Sequence, residues 1–378
     1  MLIALVILSD TTPAFDKPYS YILPEAFKER GEGYRCMVPF GRGSKERWGF
    51  ILSVTEGDGT GLKAISKILD KEPLLNAEGL YLVSYLHETL LAPWFHCVKC
   101  QIPPCAGLKK ELDLKKADKK AVIAELIGEE SGKLTPRQQE VFDLLSDIGS
   151  ASVKEIMYFL GVSQGVIKNL EKQKIIRLYE EVIPPPPKVP AEFTKKEICL
   201  SSGQQKTYEA ILKEMGKFGI HLLFGVTGSG KTEVFLKLIE EAINRGKKAL
   251  VLIPEISLTP QTALKFKESF GDKVAVLNST LSMSQRQKAY SLIKSGECPI
   301  VVGTRLAVFS PLRDIGLIVM DEEQDQSYFS SNSPRFSAKA VASARAKYHG
   351  CPLLLCSATP SIESFYYAKT HKYGFFTL

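Results

Sequence analysis

The chain has 378 residues, 44% hydrophobic and 24% charged, with a net charge of +7. This balance excludes a disordered or collagen-like polymer, and the length suggests two or three domains. Its eight cysteines lie in mostly apolar surroundings and read as reduced intracellular thiols rather than a disulfide framework.

The opening "MLIALVILSD" lacks a basic flank. With about eight apolar residues it is too short for a membrane span of roughly 20, so it reads as a first strand. After it, "YSYILPE", "CMVPFGRG", "RWGFILSV" and "LKAISKIL" read as β segments broken by Pro and Gly, and "YLVSYLHETLL" has helical periodicity. Residues 1–107 form the first expected domain. A lysine-rich joint, "KKELDLKKADKK", opens the second, 108–183. There, three helices are expected, with capping residues Thr135 (ahead of Pro136), Ser152 and Ser163, followed by a short ribbon. This unit resembles a winged-helix module whose third helix, Ser163 to Lys172, is the candidate recognition helix. The alternative is a small helical domain that only packs on its neighbours, since Lys168 and Lys172 are offset by Glu171. The run "PPPPKVP" can be neither helix nor central strand and marks a stiff linker, 184–195. From residue 191 onward 24 basic residues face 17 acidic ones, which supplies the whole net charge. A polyanionic partner or a solvated lysine-rich surface would account for it.

The last domain, 196–378, carries the strongest motif. Gly225, Val226, Thr227, Gly228, Ser229, Gly230, Lys231 and Thr232 spell "GVTGSGKT", a full G-x-x-x-x-G-K-[ST] match between an apolar strand and a helical stretch, "EVFLKLIEEAI". Glycines let the backbone curl so that its N–H groups and the helix start point at one phosphate. Lys231 would neutralise the β and γ phosphates, and Thr232 would ligate Mg²⁺. The apolar run "IGLIVM" ends in Asp321 and Glu322. Asp321 would hold Mg²⁺ through its water shell, and Glu322 would orient and deprotonate the attacking water. Further strands are expected at "KALVLIP", "VAVLN", "PIVVGT" and "PLLLCSATP". Their alternation with helices predicts a doubly wound parallel α/β sheet with its chemistry at the strand C-termini.

The ordered set "GVTGSGKTEV", "LIPEISLTPQ", "IVVGTRLAVFSPL", "LIVMDEEQDQSY" and "CSATPSIESF" resembles the first motor lobe of superfamily 2 helicases, most closely the primosomal replication-restart helicases. The resemblance extends through "YSYILPE", "VPFG" and "LKAI" to that family's N-terminal domain, which grips a DNA 3′ end. The implied fold is multidomain α/β: a β-rich DNA-binding domain, a winged helix and a RecA-like ATP-binding lobe.

By this resemblance Gln204 reads adenine. Pro254, Glu255, Thr259, Gln261, Gly303, Thr304 and Arg305 touch the single-strand backbone. Tyr328, Phe329, Arg335 and Phe336 form an aromatic loop that stacks on bases, and Ser357, Ala358 and Thr359 couple hydrolysis to strand movement. Tyr19, Ser20, Gly41 and Lys63 map onto the 3′-end pocket. Three positions depart from the family: Ser20 where many members carry Asp, Gln324 after the carboxylates where His is usual, and Asn278 where His is frequent. Gln can bridge by hydrogen bonds but cannot become cationic.

The resemblance further implies ATP and Mg²⁺ as cofactors, and forked DNA, single strands and 3′ ends as ligands. Primosome proteins, single-strand DNA-binding protein and the replicative helicase loader are the implied partners, in a bacterial cytoplasm at the nucleoid and not at a membrane. Zinc is expected only in a cysteine-rich domain beyond this stretch, as is the second lobe with its arginine finger; Cys97, Cys100 and Cys105 make a weak zinc motif. The chain reads as part of a longer protein with little ATP turnover of its own. Two alternatives are another superfamily 2 translocase, which would lack the N-terminal domain, and a fork-binding module with an inert nucleotide lobe.

Overall fold

The computed structural model describes residues 1–9, 15–41, 43–102, 121–128, 134–181, 198–278 and 281–378. The proline-rich linker and the whole of the lysine-rich joint lie outside them. Among the described residues no helix is long and apolar enough to cross a membrane.

The first unit contains β1 (Leu2–Leu8), β2 (Tyr19–Ile22), β3 (Arg35–Phe40), β4 (Lys45–Glu56) and β5 (Lys67–Ile68), followed by α1 (Ala77–Leu90) and α2 (Trp94–Lys99). The sheet order is β2-β1-β4-β3-β5, with antiparallel neighbours. Side chains alternate across a strand, so Ala4, Val6 and Leu8 enter one core with Ile51 and Val38. Ile7 and Phe50 enter another, with Leu82, Val83 and Leu86 of α1. Where Gly49 of β4 pairs with Leu8 of β1 only glycine fits: a Cβ on Gly49 would lie 2.5 Å from a Val6 methyl and 2.7 Å from the Ile7 carbonyl oxygen.

The second unit is β6 (Ala121–Leu126), α3 (Pro136–Ile148), β7 (Ser150–Ser152), α4 (Val153–Leu160), α5 (Gln164–Lys172) and β8 (Ile176–Glu181). Its sheet is β7-β6-β8. The three expected helices are present. The ribbon is corrected: its central strand, β6, precedes the helices and pairs with β8, which follows them. Thr135 makes a reciprocal capping box with Gln138, while Ser152 and Ser163 occupy cap positions without a side-chain cap bond.

The third unit runs α6 (Ser202–Leu212), β9 (Gly219–Phe224), α7 (Lys231–Asn244), β10 (Lys248–Leu252), α8 (Pro260–Phe270), β11 (Val274–Leu277), α9 (Met283–Ser295), β12 (Ile300–Gly303), β13 (Ile315–Met320), α10 (Ala338–His349), β14 (Pro352–Ser357), α11 (Ile362–Lys369) and β15 (Gly374–Thr377). The seven strands are parallel in the order β11-β12-β10-β13-β14-β9-β15. Every residue of β12, β13 and β14 is buried, as a sheet covered on both faces requires. β15 was not foreseen from the sequence.

The first and third units share a core, and a buried guanidinium joins them. Arg345 on α10, 1% exposed, donates from Nε and Nη2 to the Glu78 carboxylate of α1 at 2.6 and 3.2 Å. It also donates to the carbonyls of Val308 and Leu312 at 2.8 and 2.9 Å. Lys294 pairs with Glu72 at 3.0 Å, and His96 Nδ1 lies 2.8 Å from Ser333 Oγ. The second unit touches the third where Ser284 Oγ donates to Glu155 at 2.7 Å.

His221 on β9 sits over Gly219 and Gly374, where a Cβ would strike its ring. It is 6% exposed, and among the described residues neither ring nitrogen has a hydrogen-bond partner. Burial pulls its pKa below the ordinary 6.5, against a smaller opposite pull from Glu214. A folded-state pKa below the unfolded one means stability is fully present above about 6.5 and declines as pH falls from there toward the folded value. His221→Phe removes the orphaned nitrogens and is expected to stabilise the chain by on the order of 1 kcal/mol. It should also reduce the loss of thermal midpoint between pH 7.5 and 5.5; an unchanged pH slope would remove His221 as its source.

Candidate nucleotide site and nucleic-acid interface

Parallel strands present all their C-termini at one edge, so the segments after β9, β13 and β14 converge although they are far apart in sequence. Gly225 N donates to the Ser357 carbonyl at 3.2 Å, which ties the phosphate loop to the end of β14. Gly228 and Gly230 have φ of +81° and +89°, the left-handed region that glycine enters without strain. Lys231, 8% exposed at the start of α7, turns its ammonium back on the Gly225 and Val226 carbonyls at 2.7 and 3.2 Å. Thr232 follows it, half-buried, and Val226 to Gly228 are exposed. Gln204 packs where a Gly230 Cβ would stand. Its Oε1 accepts from Ser201 N at 2.8 Å and its Nε2 donates to the Ser229 carbonyl at 3.1 Å. Thus the residue read as the adenine reader ties α6 to the phosphate loop.

Asp321 and Glu322 follow β13 directly. Burial, then the adjacent Glu322 carboxylate, push the Asp321 carboxyl up to about 6, with Lys231 pulling the other way. Such an under-compensated acid pair, close enough to Lys231 of the phosphate loop to feel its charge, fits a hard divalent cation carried with a nucleotide. Glu322 has φ +43°, a left-handed conformation uncommon outside glycine. Its carboxylate accepts from Gln324 Nε2 at 2.9 Å, and Gln324 Oε1 accepts from Ser357 Oγ at 2.6 Å. Thr359 N donates to the same Ser357 Oγ at 2.9 Å. Gln324 therefore spans from the Glu322 carboxylate to the 357–359 segment read as coupling, as donor at one end and acceptor at the other; Ala358 lies within that segment.

Of the residues read as strand contacts, Glu255 and Thr259 are exposed between β10 and α8, Gln261 is exposed in the first turn of α8, and Pro254 is buried. Thr259 also caps α8, accepting from Thr262 N. Gly303 and Thr304 are buried; a Gly303 Cβ would lie 2.5 Å from both Ala307 Cβ and the Leu277 carbonyl oxygen. Arg305 donates to the carbonyls of Ser327 and Phe329, which fastens the aromatic loop. Asn278 is half-buried after β11.

Within the aromatic loop the stacking expectation is corrected for two residues. Tyr328 is 1% exposed, with its hydroxyl donating to the Asp321 carbonyl at 2.6 Å. Phe336 is 2% exposed and meets Phe309 edge-on at 4.9 Å. Both rings serve as core, because the loop folds back through pairing of Phe329 with Ser337. Phe329, 55% exposed, and Arg335 remain outward.

Of the residues read as the 3′-end pocket, Lys63 donates to the Gly41 carbonyl at 2.8 Å and to Ser44 Oγ at 3.0 Å. Tyr19 meets Phe40 edge-on at 5.1 Å, so Tyr19, Gly41 and Lys63 belong to one surface. Ser20 is exposed and, as the next residue of the strand, projects to the other face. Cys97 and Cys100 donate to the Ala92 and Cys97 carbonyls, and burial pushes the Cys97 thiol up to about 12. Cys105 lies outside the described residues, among which no cluster of three His, Cys, Asp or Glu could hold a metal.

The sequence reading missed Glu323, Lys339 and the serines of α11. A third acid in "DEE" looks like polar edge, and only the fold shows that it is buried. Glu78 and Arg345 were missed for the same reason: nothing local pairs them.

Two family matches define a helicase lobe joined to a DNA-binding module. Residues 201–366 match the DEAD/DEAH box helicase family, and residues 6–103 match the 3′ DNA-binding domain (3′BD) family of PriA. The replication restart protein PriA of Bacillus subtilis is 31% identical over 97% of this chain and 54% of its own length. That of Chlamydia pneumoniae is 32% identical over 95% and 49%, and that of Treponema pallidum is 45% identical over 44% and 25%. The chain belongs to the PriA family of replication restart proteins. It spans about half the length of the first two of these relatives.

Proposed function

We propose that this chain binds ATP with Mg²⁺ in its third unit and branched DNA with a nascent-strand 3′ end through its first. In this reading it is part of a replication-restart helicase that unwinds DNA 3′ to 5′ and promotes primosome assembly. The observation that carries the nucleotide half is the convergence of the phosphate loop, Asp321, Glu322, Gln324 and Ser357 at one sheet edge. Bound Mg²⁺–ATP supplies a charge-neutralised phosphoryl group as electrophile. Lys231 would exchange its loop carbonyls for phosphate oxygens, Thr232 and Asp321 would hold the cation, and Glu322, aimed by Gln324, would take the proton from water.

The second unit works here as a winged helix. On α5, Ile167 and Leu170 are buried while Lys168, Asn169 and Lys172 face outward, as a recognition helix requires. Phe329 and Arg335 offer a stacking face to single strands. Primosome proteins, single-strand DNA-binding protein and a helicase loader enter this reading through family membership.

Fluorescence anisotropy with forks ending in a 3′-hydroxyl or a 3′-phosphate tests the DNA half. The hydroxyl fork is expected to bind about tenfold more tightly, the order a site built around one hydrogen-bonded group gives. Lys63→Ala is expected to erase the difference. Equal binding of both forks by the unaltered chain would refute end reading.

A further inference from the structure

Glu323 has no assigned part, yet its side chain is fully buried and accepts four hydrogen bonds. Oε1 takes Ser361 N at 2.7 Å; Oε2 takes Lys339 Nζ at 2.8 Å, Ser364 Oγ at 3.0 Å and Ser361 Oγ at 3.2 Å. Lys339 begins α10, directly after the aromatic loop, and Ser361 caps α11, directly after the "SATP" segment. One carboxylate therefore holds three segments of the site.

Its place beside Glu322 gives this hub its meaning. A left-handed glutamate persists only where its surroundings over-determine it. On one side Asp321 N donates to the Leu252 carbonyl at 2.9 Å, and the Asp321 carbonyl accepts from Tyr328. On the other, Glu323 N donates to the Cys356 carbonyl at 3.2 Å, and its side chain is anchored as described. With both flanks fixed, Glu322 has one direction in which to point, and Gln324 meets it there.

We propose that Glu323 is a positioning residue: its buried carboxylate, clamped by Lys339 and the α11 serines, fixes the left-handed turn that aims Asp321 and Glu322 at the nucleotide site. This rests on the reading of Asp321 and Glu322 as the metal and water carboxylates. An apolar residue of similar size would fill the space but strand the Lys339 ammonium and the Ser361 N–H.

The test compares ATP affinity of the full chain with Mg²⁺ and with a chelator in its place. The unaltered chain is expected to bind more tightly with Mg²⁺. Glu323→Ala and Lys339→Met are each expected to cut that Mg²⁺-dependent gain at least fivefold, leaving Mg²⁺-free affinity, which reports the phosphate loop, within twofold. Lys339→Arg is expected to keep the gain. Hydrogen exchange should rise at residues 321–324 in the first two variants while β9 and α7 stay protected. A gain retained in both variants overturns the proposal, as does an equal fall of affinity with and without Mg²⁺, which would mark Glu323 as a general structural residue. Absence of ATP binding by the unaltered chain would instead overturn the nucleotide reading, and this proposal with it.

Discussion

Lys231→Ala is expected to abolish any thermal stabilisation by Mg²⁺–ATP while leaving the ligand-free melting point nearly unchanged. The two halves of this result have separate causes. In the ligand-free protein the ammonium rests on two loop carbonyls, 8% exposed. Its removal costs these hydrogen bonds but relieves the desolvation of a charge, and the two effects oppose each other. With nucleotide present the balance changes, since the same ammonium would face phosphate. A ligand at a hundredfold excess over its dissociation constant stabilises the folded state by about 2.7 kcal/mol. All of that is expected in the unaltered chain and essentially none in the variant. A variant that still shifts by the full amount would show that nucleotide binds elsewhere.

Arg345→Ala is expected to cost about 3 to 5 kcal/mol, the usual consequence of leaving a buried charge without its partner. Burial pushes the Glu78 carboxyl up, but Arg345 and then His349 outweigh this and hold it below its ordinary value. A depressed carboxylate keeps its stabilising contribution above its unfolded pKa and loses it as pH falls through the folded one. Urea unfolding followed two ways reads the effect: the two tryptophans, Trp48 and Trp94, both lie in the first unit, whereas far-ultraviolet circular dichroism sees every unit. The variant should bring the tryptophan midpoint well below that of the dichroism, because the first unit loses its anchor on α10. The pair Glu78→Leu with Arg345→Met should recover most of the loss, since no unpaired charge then remains. Coincident, unshifted midpoints in Arg345→Ala would mean that shared apolar packing alone joins the units.

The sheet of the third unit was legible because parallel strands buried on both faces are nearly continuous apolar runs, and "IGLIVM" or "PLLLCS" can hardly be anything else. The phosphate loop was legible because its chemistry demands glycines and one lysine at fixed spacing. β15 escaped because "GFFT" is a short apolar run without flanking pattern, given its role only by the partner strand β9. β6 escaped because it adjoins a lysine-rich stretch that reads as a joint, and its strand character comes from β7 and β8. Tyr328 and Phe336 were misread for a related reason: an aromatic in a polar loop looks available to a ligand until tertiary contacts show which face of the loop is inside. Contacts such as Glu78 with Arg345 join distant elements and leave no periodic trace in either.

The position of β9 in the sheet also sets an order of events during folding. Its neighbours are β14 and β15, so Phe224 pairs with Ser357 and Thr377, both well over a hundred residues downstream. The strand that carries the phosphate loop therefore has no partner until almost the whole third unit has left the ribosome. Loop closure of that length is entropically costly and slow, and an unpaired apolar strand is exposed to aggregation meanwhile. The nucleotide loop is thus among the last parts of the chain to acquire its shape, and a nascent chain stopped before β14 would leave β9 unpaired and β13 as the bare edge of the sheet.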